Sequence, residues 1–124
     1  MSTRVNKYQS GMQGQQEAEA FLLTSGYEIL ARNYRVRGGE IDLVAQQEDY
    51  IVFIEVKFRS GVGYGYPRES VGAAKQRRIV KTAMHYIAAH GLDNQDFRFD
   101  VVEVLSRDKH VEINHIENAF DASF

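Results

Sequence analysis

The sequence predicts an α/β domain: a central mixed sheet of about five strands flanked by helices, in the order α-β-β-β-α-β-β. Three observations carry this. The chain has 124 residues, 44% apolar and 26% charged, which suits one domain with a core of its own. Three strand-like segments joined by tight turns lie between two segments with helical periodicity. In the third strand Ile51, Val52, Phe53 and Ile54 run without alternation, as expected of a central strand buried on both faces.

The elements follow in order. Residues 1–10 are polar and are expected to form a loose tail, with 11–124 as a single domain. Gly11 to Ser25 reads as a helix, because Ala18, Phe21 and Leu22 recur at helical spacing and Ser25-Gly26 offers a stop. Tyr27 to Val36 is rich in β-favouring residues, and Arg37-Gly38-Gly39 signals a turn. Glu40 to Gln46 is the second strand, Gln47-Glu48-Asp49 the next turn, and Tyr50 to Arg59 the third strand. A glycine-rich loop, Ser60 to Arg68, holds the only proline, Pro67. Glu69 to His90 reads as a long helix with an apolar stripe of Val80, Ala83, Met84, Ile87 and Ala88, and Gly91 stands where a helix-ending glycine belongs. Phe97 to Leu105 is a fourth strand and Val111 to His115 a short fifth. Tight turns favour an antiparallel meander for the first three strands, and the crossover helix returns the fourth parallel to a member of the sheet.

Composition narrows the function classes. The absence of cysteine excludes disulfides and thiolate zinc sites. No apolar stretch resembles a signal peptide or approaches the ~20 residues of a membrane helix, so the expectation is a cytoplasmic protein without a membrane partner. Net charge is only −2, yet residues 57–81 carry seven basic residues and one acidic residue. A basic segment in an otherwise acidic chain suits local phosphate binding, and equally a solvated helix face.

The chemistry concentrates in Gly39-Glu40-Ile41-Asp42-Leu43 and Phe53-Ile54-Glu55-Val56-Lys57. Side chains alternate along a strand, so Glu55 and Lys57 share a face. Both follow an apolar run, where a charge is costly unless paired or metal-bound. A hairpin that sets Ala45-Gln46 opposite Tyr50-Ile51 sets Asp42 opposite Ile54-Glu55. Two neighbouring carboxylates repel unless a cation lies between them. A hard divalent ion with a lysine beside it supplies what phosphodiester hydrolysis needs. A plain Glu55–Lys57 or Asp42–Lys57 salt bridge suits the same spacing.

These two segments, together with Lys75 and Phe99-Asp100-Val101-Val102, resemble the YraN family of bacterial proteins over about Gly14 to Phe120. That family resembles the restriction-endonuclease-like, or PD-(D/E)xK, superfamily, and among its members the archaeal Holliday-junction resolvases. The resemblance implies a nuclease core that uses Mg²⁺ or Mn²⁺. Asp42 matches its metal-binding aspartate, Glu55 and Lys57 its (D/E)xK pair, and Glu17 a further acidic residue on the first helix. The expected metal set is Asp42, Glu55, Val56 and Glu17. Ile41 stands where the motif has proline. By its residues alone Glu17 reads first as a solvent-facing glutamate like Glu19, and only the resemblance turns it toward the site. Resolvase likeness also implies a homodimer, because symmetric paired cuts need two sites.

Lys75, near the inner edge of the long helix, Arg77, Arg78 and Lys81 farther round it, and Arg59 and Arg37 are the candidates for contacting nucleic acid; Arg32 and Arg35 would extend the track. The glycine-rich loop lacks the lysine of a nucleotide-binding P-loop. Asp100 reads as the partner of an arginine, and the histidines show no metal-ligand spacing. Two functions compete: a metal-dependent nuclease acting on DNA, such as branched or recombining structures, and a nucleic-acid-binding adaptor that has the fold with little catalysis. A glycosidase reading fails on the absent tryptophan, the small size and the lysine beside the carboxylates.

Overall fold

A computed structural model describes residues 7–60, 71–107 and 109–122. Its elements are α1 (Lys7–Thr24), β1 (Glu28–Val36), β2 (Gly39–Gln47), β3 (Tyr50–Ser60), α2 (Ala73–Ala89), β4 (Asp96–Arg107) and β5 (His110–Phe120). The expected order α-β-β-β-α-β-β is the observed one. The strands form one sheet in the order β1-β2-β3-β4-β5, antiparallel except for the β3–β4 pair. That parallel pair is joined through α2, because parallel neighbours need a crossover that returns the chain to the end of the sheet where the first strand began.

The residues explain the elements. Val36 pairs with Gly39 across a turn in which Gly38 adopts φ 84°, a conformation that favours glycine. Gln47 pairs with Tyr50, and Glu48 takes φ 53° in the turn between them. Helix α2 ends at Ala89 with His90 as its C-cap, and Gly91 follows at φ 64° as a glycine just past a helix end should.

Two helices cover opposite faces of the sheet. Ile51 and Phe53 of β3 join Ile79, Val80, Ala83, Tyr86 and Ile87 of α2 in one core. Val52 and Ile54 join Ala18 and Leu22 of α1 in the other. All four β3 residues are 1% exposed or less, so the unbroken apolar run is the one buried on both faces. Burying such side chains contributes about 1.5–3 kcal/mol each relative to leaving them exposed.

Several boundaries differ from the sequence reading. Helix α1 starts at Lys7 rather than Gly11, so residues 7–10 of the expected tail are helical, and residues 1–6 lie outside the described residues. The glycine-rich loop from Gly61 to Arg68 and the expected first helical residues, Glu69 and Ser70, also lie outside them. The buried stripe of α2 is Ile79, Val80, Thr82, Ala83, Tyr86 and Ile87; Met84 and Ala88 are exposed. The helix is rotated toward Thr82 and Tyr86 because Gly39 beneath it has no side chain: a Cβ there would overlap the Thr82 hydroxyl and lie 3.2 Å from the Arg78 carbonyl. Strand β5 runs for 11 residues rather than the short span expected. Its second half, Glu117-Asn118, has turn-like residues, but an irregularity opposite Phe99–Val101 absorbs Asn118 at φ 54° and lets Phe120 stack on Phe99 with ring centroids 5.0 Å apart.

Candidate metal-binding and hydrolytic site

The site forms where β2, β3 and α2 converge. Leu43 pairs with Ile54, and at the next step the main-chain pairing stops. The Val56 N–H donates instead to Asp42 Oδ2 at 2.8 Å. Ile41 packs in the α2-side core while Leu43 packs in the α1-side core. Regular alternation would put both on one face, so β2 leaves the regular pleat across Asp42. This irregularity carries the Asp42 carboxylate onto the edge of β3, beside Glu55.

Glu55 lies on the α2 side of β3, in step with Ile51 and Phe53, and is buried. Its Oε1 accepts from Lys75 Nζ at 2.8 Å and stands 3.9 Å from Lys57 Nζ. A cleft of about 190 Å³ is lined by Gly39, Glu40, Asp42, Glu55, Lys75, Arg78 and Ile79. Two carboxylates from adjacent strands and two lysines from a strand and a helix therefore share a few ångströms.

The electrostatics follow from this crowding. Burial, then the Glu55 charge, pushes the Asp42 carboxyl up to about 7, against the pull of the Val56 N–H. Burial and the neighbouring Lys75 ammonium push Lys57 below the usual lysine range, only partly opposed by Glu55 and Asp42. Burial also works against the Lys75 ammonium, but its hydrogen bond to Glu55 and the surrounding carboxylates raise it overall.

This donor set fits a hard divalent cation. Such an ion takes oxygen ligands and is commonly held by one or two carboxylates, with waters and substrate oxygens completing the shell. Asp42 and Glu55 would hold it. Among the described residues no three His, Asp or Glu side chains gather into a group that could hold a metal ion by themselves.

The remaining candidates separate by element. Glu17 is half-buried on α1, beside Ala18 of the α1-side core, and does not line the cleft. Val56 meets Asp42 through its N–H. Lys75, whose place on the inner edge of the helix suited either a phosphate or the site, reaches Glu55 at the centre of the site. Arg78 lines the cleft, while Arg77 and Lys81 are exposed on α2 and Arg37 is exposed in the hairpin turn. Arg32 is engaged by Glu19, and Arg35 stands 3.3 Å from Glu40. Arg59 lies on the site's face of β3, with its Nε 3.2 Å from Glu103 Oε2 on β4. The sequence reading quoted Gly39 and Glu40 within its motif without giving them a place in the site, and it did not single out Glu103. The glycine signal was present in the turn, but its contact with α2 joins residues too distant in sequence to read.

The expected arginine partner of Asp100 is Arg98, 3.0 Å away. His115 joins them at 2.7 Å, which gives that histidine a structural role on the α1 side of the sheet. His85 Nδ1 lies 2.7 Å from the Tyr34 hydroxyl, and the His90 ring stacks on Tyr86 at 4.0 Å. Among the described residues no helix is long and apolar enough to cross a membrane.

Comparison with known proteins agrees with the motifs. The model of a family described as "Uncharacterised protein family UPF0102" matches residues 14–104. A UPF0102 protein of Symbiobacterium thermophilum is 50% identical over 123 residues, covering 98% of this chain and 100% of its own. One from Clostridioides difficile is 46% identical over 116 residues, covering 94% of this chain and 100% of the relative. One from Myxococcus xanthus is 44% identical over 112 residues, with 90% and 89% covered. The chain carrying the Asp42, Glu55 and Lys57 constellation thus belongs to the UPF0102, or YraN, family.

Proposed function

We propose that the protein is a divalent-cation-dependent nuclease that hydrolyses phosphodiester bonds of DNA. The observation that carries this reading is the meeting of Asp42 and Glu55 in one cleft with Lys57 and Lys75 around the Glu55 carboxylate. Asp42 and Glu55 would hold Mg²⁺ or Mn²⁺, which when bound supplies positive charge to the phosphoryl oxygens and makes a water more acidic. Lys57, held below the usual lysine range, orients the attacking water and shares its proton. Lys75, kept protonated by Glu55, neutralises charge that builds on the phosphoryl group. Arg78 at the rim draws in the phosphate backbone, and Arg77, Lys81, Arg37 and Arg59 extend that attraction outward. Likeness to junction resolvases supports branched DNA as substrate and a homodimer as the working form, which sedimentation would read directly.

One observation favours a second reading, a binding or adaptor module with little catalysis. The 2.8 Å pair between Lys75 and Glu55 already neutralises the carboxylate that a cation would use.

The deciding experiment is cleavage of labelled single-stranded, duplex, flap and four-way-junction DNA, and of RNA, with Mg²⁺, Mn²⁺ or EDTA. Metal-dependent cutting by the wild type, abolished in Asp42→Asn and Glu55→Gln and reduced by about 10²-fold or more in Lys57→Ala, is the expected result. Binding without cutting under every condition would sink the hydrolase in favour of the adaptor.

A further inference from the structure

The break in β2 at Asp42 has a counterpart across the hairpin. Strands β1 and β2 pair Arg32 with Leu43 and then Tyr34 with Ile41, stepping over Asn33 and Asp42 without a change of register. Arg32 and Leu43 belong to the α1 side: Arg32 is engaged by Glu19, and Leu43 packs with Ala18 and Leu22. Tyr34 and Ile41 belong to the α2 side, where the Tyr34 ring stands edge-on to Tyr86 with centroids 5.0 Å apart. Side chains two residues apart in a regular strand share a face. Both strands therefore change faces at the same rung, each by way of one residue.

The backbone of β1 shows how. Asn33 has φ 51°, in the left-handed region. There the Cβ of an L-residue crowds the following carbonyl oxygen, and asparagine is among the few residues besides glycine that accept it. The Asn33 side chain is held from two directions. Gln15 Nε2 on α1 donates to Asn33 Oδ1 at 2.8 Å, and Asn33 Nδ2 donates to Gln15 Oε1 and to Glu40 Oε1, each at 3.2 Å. Glu40 in turn lines the cleft beside Asp42. Strand β2 can turn over at Asp42 only in step with β1, because a β1 that kept its pleat would carry Tyr34 away from Tyr86 and onto the α1 side.

We propose that Asn33 is a positioning residue for Asp42: its left-handed backbone turns β1 over in step with β2, and this turn aims the Asp42 carboxylate at the Val56 N–H and sets it beside Glu55. The catalytic consequence rests on the reading of Asp42 as a cation ligand. The geometry itself needs neither metal nor DNA.

The test reads the Val56 amide by NMR in the full chain with EDTA present. The hydrogen bond to Asp42 should hold that proton downfield and slow its exchange with water. Asn33→Val should lower protection at Val56 by about 10-fold or more and move the proton upfield, because a β-branched residue resists a positive φ. Asn33→Gly adopts that φ freely and should keep protection within about 3-fold of the wild type. Amides of the β3–β4 ladder should hold their protection in both variants, which separates a local change from general loosening. Asn33→Ala imposes a milder cost and serves if the valine variant does not fold. With Mg²⁺, the cleavage rate at saturating DNA should fall by about 10-fold or more in Asn33→Val and persist in Asn33→Gly. An unchanged Val56 amide in the folded valine or alanine variant overturns the inference. Equal losses in the glycine and valine variants, or a loss spread over the whole ladder, overturn it as well. A wild type that cuts DNA while Val56 ignores the valine substitution sinks this inference and leaves the hydrolase standing. The expected Val56 response in a protein that never cuts with any metal does the reverse.

Discussion

At Asp42, burial and the Glu55 carboxylate both oppose ionisation, and together they lift its pKa to about 7. The sign of the consequence is fixed. A carboxyl whose folded pKa exceeds its unfolded value of about 3.9 contributes stability below that value, and loses it as pH rises to the folded one. In EDTA, Asp42→Asn should therefore gain stability over the wild type between about pH 4 and 7 and hold the gain above. The asparagine still accepts the Val56 N–H. Because Asp42 is only half-buried, we set the gain at about 1 kcal/mol, or roughly 3–5 °C in Tm at pH 8. A Tm difference that is flat with pH would remove the charge coupling. Gly39 is the second sensitive residue. A methyl group there meets the Thr82 hydroxyl, so Gly39→Ala should cost about 1–3 kcal/mol and lift α2 from the cleft. Urea unfolding reads the cost, and unchanged stability would mean that α2 yields freely.

At the scale of elements, β4 and β5 are tied to the turn after α1 by a buried polar cluster. Burial works against the Asp100 carboxylate, but hydrogen bonds from His115, Arg98 and the Asn118 N–H hold it below its usual range. Arg98 also reaches the Tyr27 hydroxyl. A depressed carboxyl stabilises the fold above its unfolded pKa of about 3.9 and loses that contribution as pH falls through the folded value. Asp100→Asn strands Arg98 and should destabilise by about 3–5 kcal/mol, measured by urea unfolding at neutral pH. The penalty should shrink at pH 3, where the wild type begins to lose the same charge; an equal penalty at both pH values would refute the electrostatic account. The arginine partner was readable from the apolar strand around Asp100. His115 was not, because only the length and register of β5 bring it across the sheet.

For the whole molecule, the two helices divide the work. Helix α1 seals one face of the sheet and α2 covers the other, bringing Lys75 and Arg78 to the cleft. The basic run at residues 57–81 thus contributes from both β3 and α2 to the side that carries the carboxylates. Double charge reversal, Arg77→Glu with Arg78→Glu, should weaken duplex binding by well over 10-fold at low salt and flatten its salt dependence. Fluorescence anisotropy across a salt series checks this, and an unchanged affinity would move the nucleic acid off α2. Exposed Arg37 in the hairpin turn should matter less, because no part of it lines the cleft.

The sequence by itself determined the element order, the buried central strand and the placing of Asp42 beside the Glu55–Lys57 strand. Each of these depends on local periodicity or on a short hairpin, and both are written in neighbouring residues. Only the tertiary structure decided the irregularity that turns Asp42 toward β3, the seat of α2 on Gly39, and the reach of Lys75 to Glu55. It also decided the seat of Glu103 beneath Arg59. These join residues that are far apart in the chain, and their contacts are set by how helix and sheet faces pack. The pattern along one strand or helix fixes which residues share a face, but not which partner that face will meet.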